Sequence, residues 1–315
     1  MSRKSGRRGH GGHGREGADR HERNAPRPQP SHGRSARSTL ERSDGFRRGP
    51  HTKVAPEGTD TSAAARSFAR PSRAGQDVIF LYGYHTVREA LRSSRRKALK
   101  LRATEAAAAR LGEEIAAKSV AVEIVPAEEI ARRLPPDAVH QGVLLDARPL
   151  EPIDISEIPP DGLVIVLDQV TDPHNVGAIV RTAAAFGVDA IVTTERHSPD
   201  FSGALGKAAS GGLEHVPIAV VVNLARGLGE LGEMGYLRVG LDASGSESLE
   251  SIELRRPFAL VLGAEGKGLR RLTRETCDAL ARLDVPGAIK TLNVSNACAV
   301  ALAIVRMRLK ASDGG

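Results

Sequence analysis

The pattern of apolar positions changes along the chain and separates a polar front segment from a folded remainder. Residues 1–77 contain few aliphatic residues and are rich in Gly, Arg, Ser and Pro. This composition cannot bury enough apolar surface to offset the entropy of ordering, so we predict a disordered Arg/Gly-rich tail. From residue 78 onward apolar residues recur with helix and strand periods, which indicates folded structure.

Residues 78–148 show short strand and helix patterns that predict a small α/β domain. The sequence VIFLYGYHTVREALRS predicts a strand, a turn at Gly83 and a helix with one apolar face. ALKLRAT, VAVEIVP and HQGVLLDA follow as strand patterns, and EAAAARLGEEIAAKS is a helical pattern between the first two. Residues 149–162 are rich in proline and acidic residues, so we predict a linker there.

Residues 163–315 repeat a strand–helix alternation. The apolar runs LVIVL, DAIVT, VPIAVVV, YLRVGL, FALVLG and ARLDVP are separated by helical stretches. Continuous β-rich runs with intervening helices indicate an α/β domain whose parallel sheet is covered on both faces. Ligands bind at the carboxyl ends of such strands, so the loops that follow the runs are the candidate sites.

The first candidate loop is DPHNVGAIVRTAAAFG, residues 172–187. Asn175 stands at the start of a helical pattern, and we predict that it is the N-cap. At about 100° per residue, Arg181 projects roughly 150° from the centre of the apolar face, so it is not a core residue. Taken alone, an exposed helical arginine is typical of a solvated surface.

The second loop is LVLGAEGKGLRRLT, residues 260–273. A strand followed by Gly-x-x-Gly-x-Gly brings backbone N–H groups close to a ligand. The spacing is neither that of a phosphate-binding Walker loop nor that of the dinucleotide fingerprint, which argues against a nicotinamide dehydrogenase. Glu265 lies between Gly263 and Gly266, where a structural turn would favour Asn or Asp.

The third loop lies in DVPGAIKTLNVSNACAVALAIVRMRLK. Asn293, Ser295 and Asn296 crowd the start of an apolar helix, and a capping role for Ser295 is the simplest interpretation of that residue. Two further amides exceed what capping requires. Apolar Leu292 between Thr291 and Asn293 indicates the wall of a pocket.

The positive charge of the chain is concentrated at its front. The formal net charge is +7, with the excess in residues 1–77, whereas residues 151–315 are mildly acidic. A cationic front indicates a polyanionic partner such as nucleic acid, although a solubilising tail has the same composition. A compact basic cluster at a predicted helix–strand corner suits RNA phosphates, and a solvated helix end is the alternative. The cluster comprises Arg92, Arg95, Arg96, Lys97, Lys100 and Arg102.

Other classes of protein are disfavoured by composition. Cys277 and Cys298 are too few for a four-ligand zinc site and are not spaced as a redox pair, so we expect no metal and reduced thiols in a cytoplasmic protein. The HGGHG sequence in the tail is read as a chance cluster of histidines. No apolar run reaches the ~20 residues of a membrane span, and the N-terminus lacks the apolar region of a secretory signal.

The three loops, in this order, resemble the SpoU class of the SPOUT superfamily of RNA methyltransferases. The matching motifs are DPHNVGAIVRTAAAFG, LVLGAEGKGLRRL and TLNVSNACAVAL, and KAASGGLEHVPIA between them is also similar. YGYHTVREAL and HQGVLLDA resemble the small ribosomal-protein-like substrate-binding domain of members that modify ribosomal RNA. Only residues 1–77 fall outside the resemblance.

The resemblance implies properties that the patterns alone do not give. It implies a methyltransferase domain at 163–315 with a C-terminal trefoil knot, S-adenosylmethionine as cofactor, and a homodimer with composite active sites. The implied reaction is 2′-O-methylation of a ribose, most simply a guanosine of 23S ribosomal RNA; transfer RNA and a non-catalytic ribosome-assembly role are the alternatives. The implied catalytic residues are Asn175, Arg181, Glu265 and Asn293, and the implied cofactor contacts are Gly263, Leu283, Thr291 and Leu292.

Overall fold

A computed structural model describes residues 78–197 and 203–313. The predicted tail, with its HGGHG histidines, lies outside the described residues. Within the described part the chain builds two β-sheets, one of four strands and one of seven.

The first sheet is mixed and is built by residues 79–147. Its elements are β1 (Ile79–Tyr82), α1 (Tyr84–Arg92), β2 (Ala98–Ala103), α2 (Glu105–Arg110), α3 (Gly112–Lys118), β3 (Ala121–Ile124), α4 (Ala127–Ala131) and β4 (Val143–Ala147). The strand order is β1-β4-β2-β3; β4 is antiparallel to β1 and β2, and β3 is parallel to β2. The four predicted strands are confirmed. The single predicted helix after β2 is divided at Leu111, and α4 was not predicted.

The segment 149–162, predicted as a linker, packs against the second sheet. Ile153 forms a parallel bridge with Ala219, and a 3-10 turn follows at Ile155–Glu157. Ile155 and Ile158 are buried in the core of the second sheet. The connection between the two sheets is therefore held along its length.

The second sheet is entirely parallel, as the strand–helix alternation predicted. Its elements are β5 (Leu163–Asp168), α5 (Pro173–Ala185), β6 (Ala190–Thr194), α6 (Gly203–Ala209), β7 (Ile218–Val221), α7 (Leu224–Glu233), β8 (Leu237–Leu241), β9 (Glu247–Ser248), β10 (Phe258–Gly263), α8 (Arg271–Thr276), β11 (Ala279–Arg282) and α9 (Val294–Asp313). The strand order is β7-β6-β5-β10-β8-β11-β9.

Helices cover both faces of this sheet. Along β5, Leu163, Ile165 and Leu167 enter the core that α5 and α9 share, whereas Val164 and Val166 enter the core that α7 covers. This alternation follows from the period of two in a strand. Because all strands run the same way, the loops after β5, β10 and β11 leave from one edge of the sheet.

Within 78–197 and 203–313 no helix has the length and apolarity to cross a membrane, and no group of three or more His, Cys, Asp or Glu is placed to hold a metal ion. Cys277 and Cys298 are both free thiols. Burial raises the pKa of each to about 12.

Candidate functional site

Three side chains from the three candidate loops meet in one hydrogen-bonded group, which we call the amide–carboxylate cluster. Asn293 Nδ2 donates to Asn175 Oδ1 at 2.9 Å and to Glu265 Oε1 at 2.6 Å. Asn175 Nδ2 also donates to Glu265 Oε1, at 3.3 Å. The residues are 28 to 118 positions apart in sequence. The predicted convergence of the three loops is thus confirmed for these three residues.

Asn175 is not the N-cap of its helix, which corrects the sequence prediction. The cap is Asp172, whose side chain accepts a hydrogen bond from the backbone N–H of His174 at 3.0 Å. Pro173 occupies the first helical position, where its missing N–H costs nothing. Because Asp172 performs the capping, the side chain of Asn175 is left for the cluster.

Glu265 is presented by a tight loop between β10 and α8. A Cβ added to Gly263 would clash with the backbone of Gly268, so a larger residue cannot occupy that strand end without moving the loop. Gly266 and Gly268 have φ values of 74° and 65°, which favour glycine. The backbone N–H of Gly268 donates to the carbonyl of Ala264 at 2.8 Å and closes the turn.

The far end of this loop is anchored to the sheet. Asp168, fully buried at the end of β5, accepts hydrogen bonds from the backbone N–H of Arg270 at 2.8 Å and from its Nε at 2.6 Å. The buried carboxylate is thereby paired, as burial of a charge requires. The loop that carries Glu265 is consequently fixed at both ends.

Asn293 caps α9, so the alternative that Ser295 is the capping residue is excluded. Its Oδ1 accepts from the backbone N–H of Ser295 at 2.9 Å and from the hydroxyl at 2.5 Å. The backbone N–H of Val294 donates to Glu265 Oε1 at 3.1 Å. The carboxylate of Glu265 therefore also lies at the positive end of the α9 dipole, which stabilises its charge.

The predicted cofactor residues lie on the segment between β11 and α9 and at the end of β10. Leu283 is half-buried against the core, whereas Thr291 and Leu292 are exposed. Ile289, on the same segment, is 76% exposed, and Leu292 is 40% exposed. The two side chains leave apolar surface on the segment that leads to the cluster residue Asn293.

Arg181 does not join the amide–carboxylate cluster. It is exposed on α5, as its position on the helix predicted, and its side chain makes no hydrogen bond or ion pair with any described residue. Its side chain instead lines a cleft between α5 and α1 of the first sheet. Of the four predicted catalytic residues, the chain as described brings together three.

Two members of the predicted RNA-binding cluster are structural, which corrects the sequence analysis. Arg96 is buried in an ion pair with Glu214, with a 2.6 Å separation and side chains that are 1% and 3% exposed. Arg102 is buried beside Asp146 at 2.8 Å and Glu123 at 3.2 Å. Guanidiniums that are paired inside the protein are not available to RNA.

The remaining basic residues of that cluster stay at the surface. Arg92 pairs with Glu114 at 2.7 Å, and Lys100 pairs with Glu123 at 2.9 Å. Arg95 and Lys97 are exposed. The surface left for an anionic partner at this corner is thus smaller than the sequence predicted.

Comparison with known proteins identifies the family. Residues 162–303 match the SpoU rRNA Methylase family, and residues 80–153 match a family described as RNA 2′-O ribose methyltransferase substrate binding. A protein of Ralstonia nicotianae named 23S rRNA (guanosine-2′-O-)-methyltransferase RlmB is 42% identical over 195 residues, covering 59% of this chain and 78% of the relative. The chain belongs to the SpoU family.

Further relatives agree with a SpoU assignment. A Pseudomonas aeruginosa protein of the same name is 43% identical over 182 residues, covering 55% of this chain and 73% of the relative. The AdoMet-bound rRNA methyltransferase from Sinorhizobium meliloti has the same fold, with a TM-score of 0.64 and 24% identity over 74% of this chain and 88% of that one. All three residues of the amide–carboxylate cluster lie within the SpoU match at 162–303.

Proposed function

We propose that this chain transfers a methyl group from S-adenosylmethionine to the 2′-hydroxyl of a guanosine ribose in 23S ribosomal RNA. The observation that carries the proposal is the amide–carboxylate cluster, in which Asn175, Glu265 and Asn293 join three loops at one edge of a parallel sheet. The curated relatives named for this reaction, and the substrate-binding match at 80–153, support the choice of ribosomal RNA.

The residues present fit the cofactor. The close approach of Gly263 to Gly268 leaves a bare backbone strand end, and Leu292 and Ile289 offer exposed apolar surface for a purine ring. Leu283, Gly263, Thr291 and Leu292 would hold S-adenosylmethionine. When bound, it supplies a methyl group already activated as an electrophile by the sulfonium.

The protein's own task is to position the hydroxyl and stabilise the charge that develops on it. The cluster fixes the loops through the three hydrogen bonds that Glu265 Oε1 accepts. Arg181 is a poor base because a guanidinium stays protonated, so its role is to stabilise the alkoxide oxygen and bind the adjacent phosphate through its planar fork. The proton of the hydroxyl passes to Glu265, to an RNA phosphate or to water. Such electrostatic stabilisation is worth about 10²–10³ in rate per donor.

We also propose that the active site is completed by a second copy of the chain. Arg181 has no bond to the amide–carboxylate cluster of its own subunit, so a partner subunit would receive it. α9, which packs on α5, exposes Val300 and Met307, with 44% and 66% of their surfaces accessible. These apolar side chains suit burial in a homodimer.

The proposal includes the finer features that the family resemblance implies. The segment after β11 would pass through the loop after β10 as a trefoil knot, and contact of Asn293 with Glu265 is compatible with that path. The first sheet would bind RNA with Arg95 and Lys97 at its exposed corner. The Arg/Gly-rich tail would add affinity, and the protein would act in the cytoplasm.

Mapping of methylated nucleotides tests the function. Ribosomal and transfer RNA from cells with and without the gene are compared for 2′-O-methyl groups at every position. We expect one guanosine of 23S ribosomal RNA to lose its methyl group, and the purified protein to restore it with S-adenosylmethionine. Loss at a transfer RNA position, or no loss at all, would contradict the assignment.

Subunit complementation tests the composite site. Arg181→Ala and Glu265→Ala variants, each inactive alone, are co-expressed with different tags and the mixed species is purified. If each site takes Arg181 from the partner, one site in the mixed dimer carries both intact residues, so activity returns. A monomer by light scattering, or a mixed dimer without activity, would remove the composite site.

A further inference from the structure

A cleft with basic walls lies between the two sheets, outside the amide–carboxylate cluster. It encloses about 300 Å³ between α1 and α5. His85 and Arg88 line it from α1, Arg181 from α5, and His215 from the segment between α6 and β7. Glu89 is the one carboxylate among the described residues that line it.

Two adjacent glycines set the width of this cleft. A Cβ on Gly211 would come within 2.7 Å of the Glu89 Cβ on α1, and Gly211 has a φ of 90°. A Cβ on Gly212 would come within 3.2 Å of the Arg181 Cα on α5. Larger residues at either position would push one wall away, so the spacing of Arg88 and Arg181 is built into the backbone.

Two further contacts fix the elements that form the walls of the cleft. Glu214, two residues after Gly212, forms the buried ion pair with Arg96 of the first sheet. The hydroxyl of Thr86 on α1 donates to the carbonyl of Gly206 on α6 at 3.2 Å. The cleft is therefore preformed, and an occupant would not have to order it.

The charges in the cleft favour an anion. Arg88 donates to Glu89 Oε1 through Nε and Nη2, each at 3.2 Å, and His215 lies 3.1 Å from Glu89 Oε2, so Nη1 of Arg88 is the donor that faces a further anion. Arg181 has no carboxylate partner among the residues described, so its positive charge is not compensated locally. A phosphate group matches guanidinium donors that approach from two walls.

We propose that this cleft binds a backbone phosphate of the substrate RNA between Arg88 and Arg181. The inference rests on the proposed function, because that function supplies RNA as the anionic ligand. Phosphate contacts fix the register of a nucleic acid on a protein. A phosphate held here would place the neighbouring ribose beside Arg181, so Arg88 is a positioning residue that connects the first sheet to the reaction.

Equilibrium binding to a full-length 23S ribosomal RNA transcript tests the contact without any methyl transfer. Arg88→Ala should weaken binding about tenfold, the effect of losing one charge-assisted hydrogen bond. It should also reduce the slope of log affinity against log salt by about 0.7, the contribution of one single-strand phosphate. The matched control is Arg226→Ala, an 80% exposed arginine of α7 that covers the opposite face of the second sheet.

Replacing single RNA phosphates by uncharged methylphosphonates identifies which phosphate the cleft binds. Single methylphosphonates are placed along the shortest RNA fragment that binds, and each is measured with the wild-type protein and with Arg88→Ala. We expect one linkage to weaken binding by the wild type more than binding by Arg88→Ala, because only the Arg181 contact is left to lose in the variant. If the two losses add at every linkage, or if Arg88→Ala matches Arg226→Ala in affinity and salt slope, the phosphate site is wrong.

The two proposals fail separately. RNA that binds through Arg88 but gains no methyl group would overturn the proposed function and leave the cleft standing. RNA that is methylated with the same KM by wild-type protein and Arg88→Ala would overturn the cleft alone. Arg88→Lys is a further test, because lysine keeps the positive charge. It should restore the wild-type salt slope of RNA binding but not the full affinity.

Discussion

Arg96 and Glu214, 118 residues apart in sequence, form an ion pair closed off from solvent at the junction of the two sheets. Arg96 Nη1 also donates to the backbone carbonyl of Arg148 at 2.8 Å. The pair therefore ties together the end of the first sheet, the start of the connecting segment and the turn before β7. Removing either partner would leave a charge buried without compensation.

This pair predicts a large loss of stability on truncation. Arg96→Ala should lower the free energy of unfolding by about 3–5 kcal/mol, because Glu214 is left unpaired in a dry environment. Urea denaturation followed by circular dichroism measures the change. Arg226→Ala, which breaks an exposed pair with Glu230, should cost about 0.5 kcal/mol or less. Equal midpoints for the two variants would contradict the structural role of Arg96.

Substitution of Gly263 by alanine is expected to destabilise the protein, whereas the same substitution at Gly229 is not. Gly263→Ala places a Cβ against the backbone of Gly268, so the loop that presents Glu265 must move. We expect a cost of about 1–3 kcal/mol, typical of overpacking, and weaker S-adenosylmethionine binding by calorimetry. Gly229→Ala in α7 meets no atom within 4 Å and should stabilise the protein by about 0.5–1 kcal/mol.

The side chain of Asn293 caps α9 and bridges the cluster, and substitutions are expected to separate these two roles. Asn293→Ser keeps a good capping residue for α9 but cannot bridge Asn175 and Glu265. The melting temperature should stay close to that of the wild type, while the methyl-transfer rate falls about 10²–10³-fold. Asn293→Ala should lose the same rate and about 1 kcal/mol of stability as well. Full activity of Asn293→Ser would remove the amide bridge from the mechanism.

Arg181 predicts a loss of rate without a loss of stability. Because its side chain makes no hydrogen bond or ion pair within the described chain, Arg181→Ala should leave the melting temperature unchanged. The single-turnover rate with saturating RNA should fall about 10²–10³-fold. Arg181→Lys should recover little of it, since an ammonium lacks the planar fork. An unchanged single-turnover rate for Arg181→Ala would show that the guanidinium does not stabilise the reacting oxygen.

Tyr236 predicts a pH dependence at alkaline pH. Burial raises the pKa of its phenol from 10.0 to about 12, and the hydroxyl donates to the carbonyl of Pro159. A pKa that is higher in the folded state gives stability that is complete below pH 10 and is lost as the pH rises towards 12. Denaturation at several pH values should show a shallower alkaline loss for Tyr236→Phe. Parallel curves for the two proteins would contradict this.

The sequence could predict the site because the three loops follow strands of one parallel sheet. Runs such as FALVLG identify buried strands, and parallel strands place their following loops at a common edge. The joining of Asn175, Glu265 and Asn293 follows from that rule. The strand order could not be predicted, because β10 lies between β5 and β8 through contacts that no local pattern encodes.

The corrections share a physical cause, which is that the partner of a polar side chain can lie far away in sequence. Arg96 and Arg102 were taken for surface residues because Glu214 and Asp146 are 118 and 44 positions from them. The capping error was avoidable. Asp172 followed by a proline is a stronger helix start than Asn175, since proline is favoured at the first helical position.

The raised pKa values of Cys277 and Cys298 make the chain a convenient background for spectroscopy. Thiols that stay protonated near neutral pH react slowly with maleimide reagents, because the thiolate is the nucleophile. A cysteine engineered at an exposed position could therefore be labelled selectively with a fluorophore, and dye pairs on α1 and α5 would report the distance between them as RNA is added.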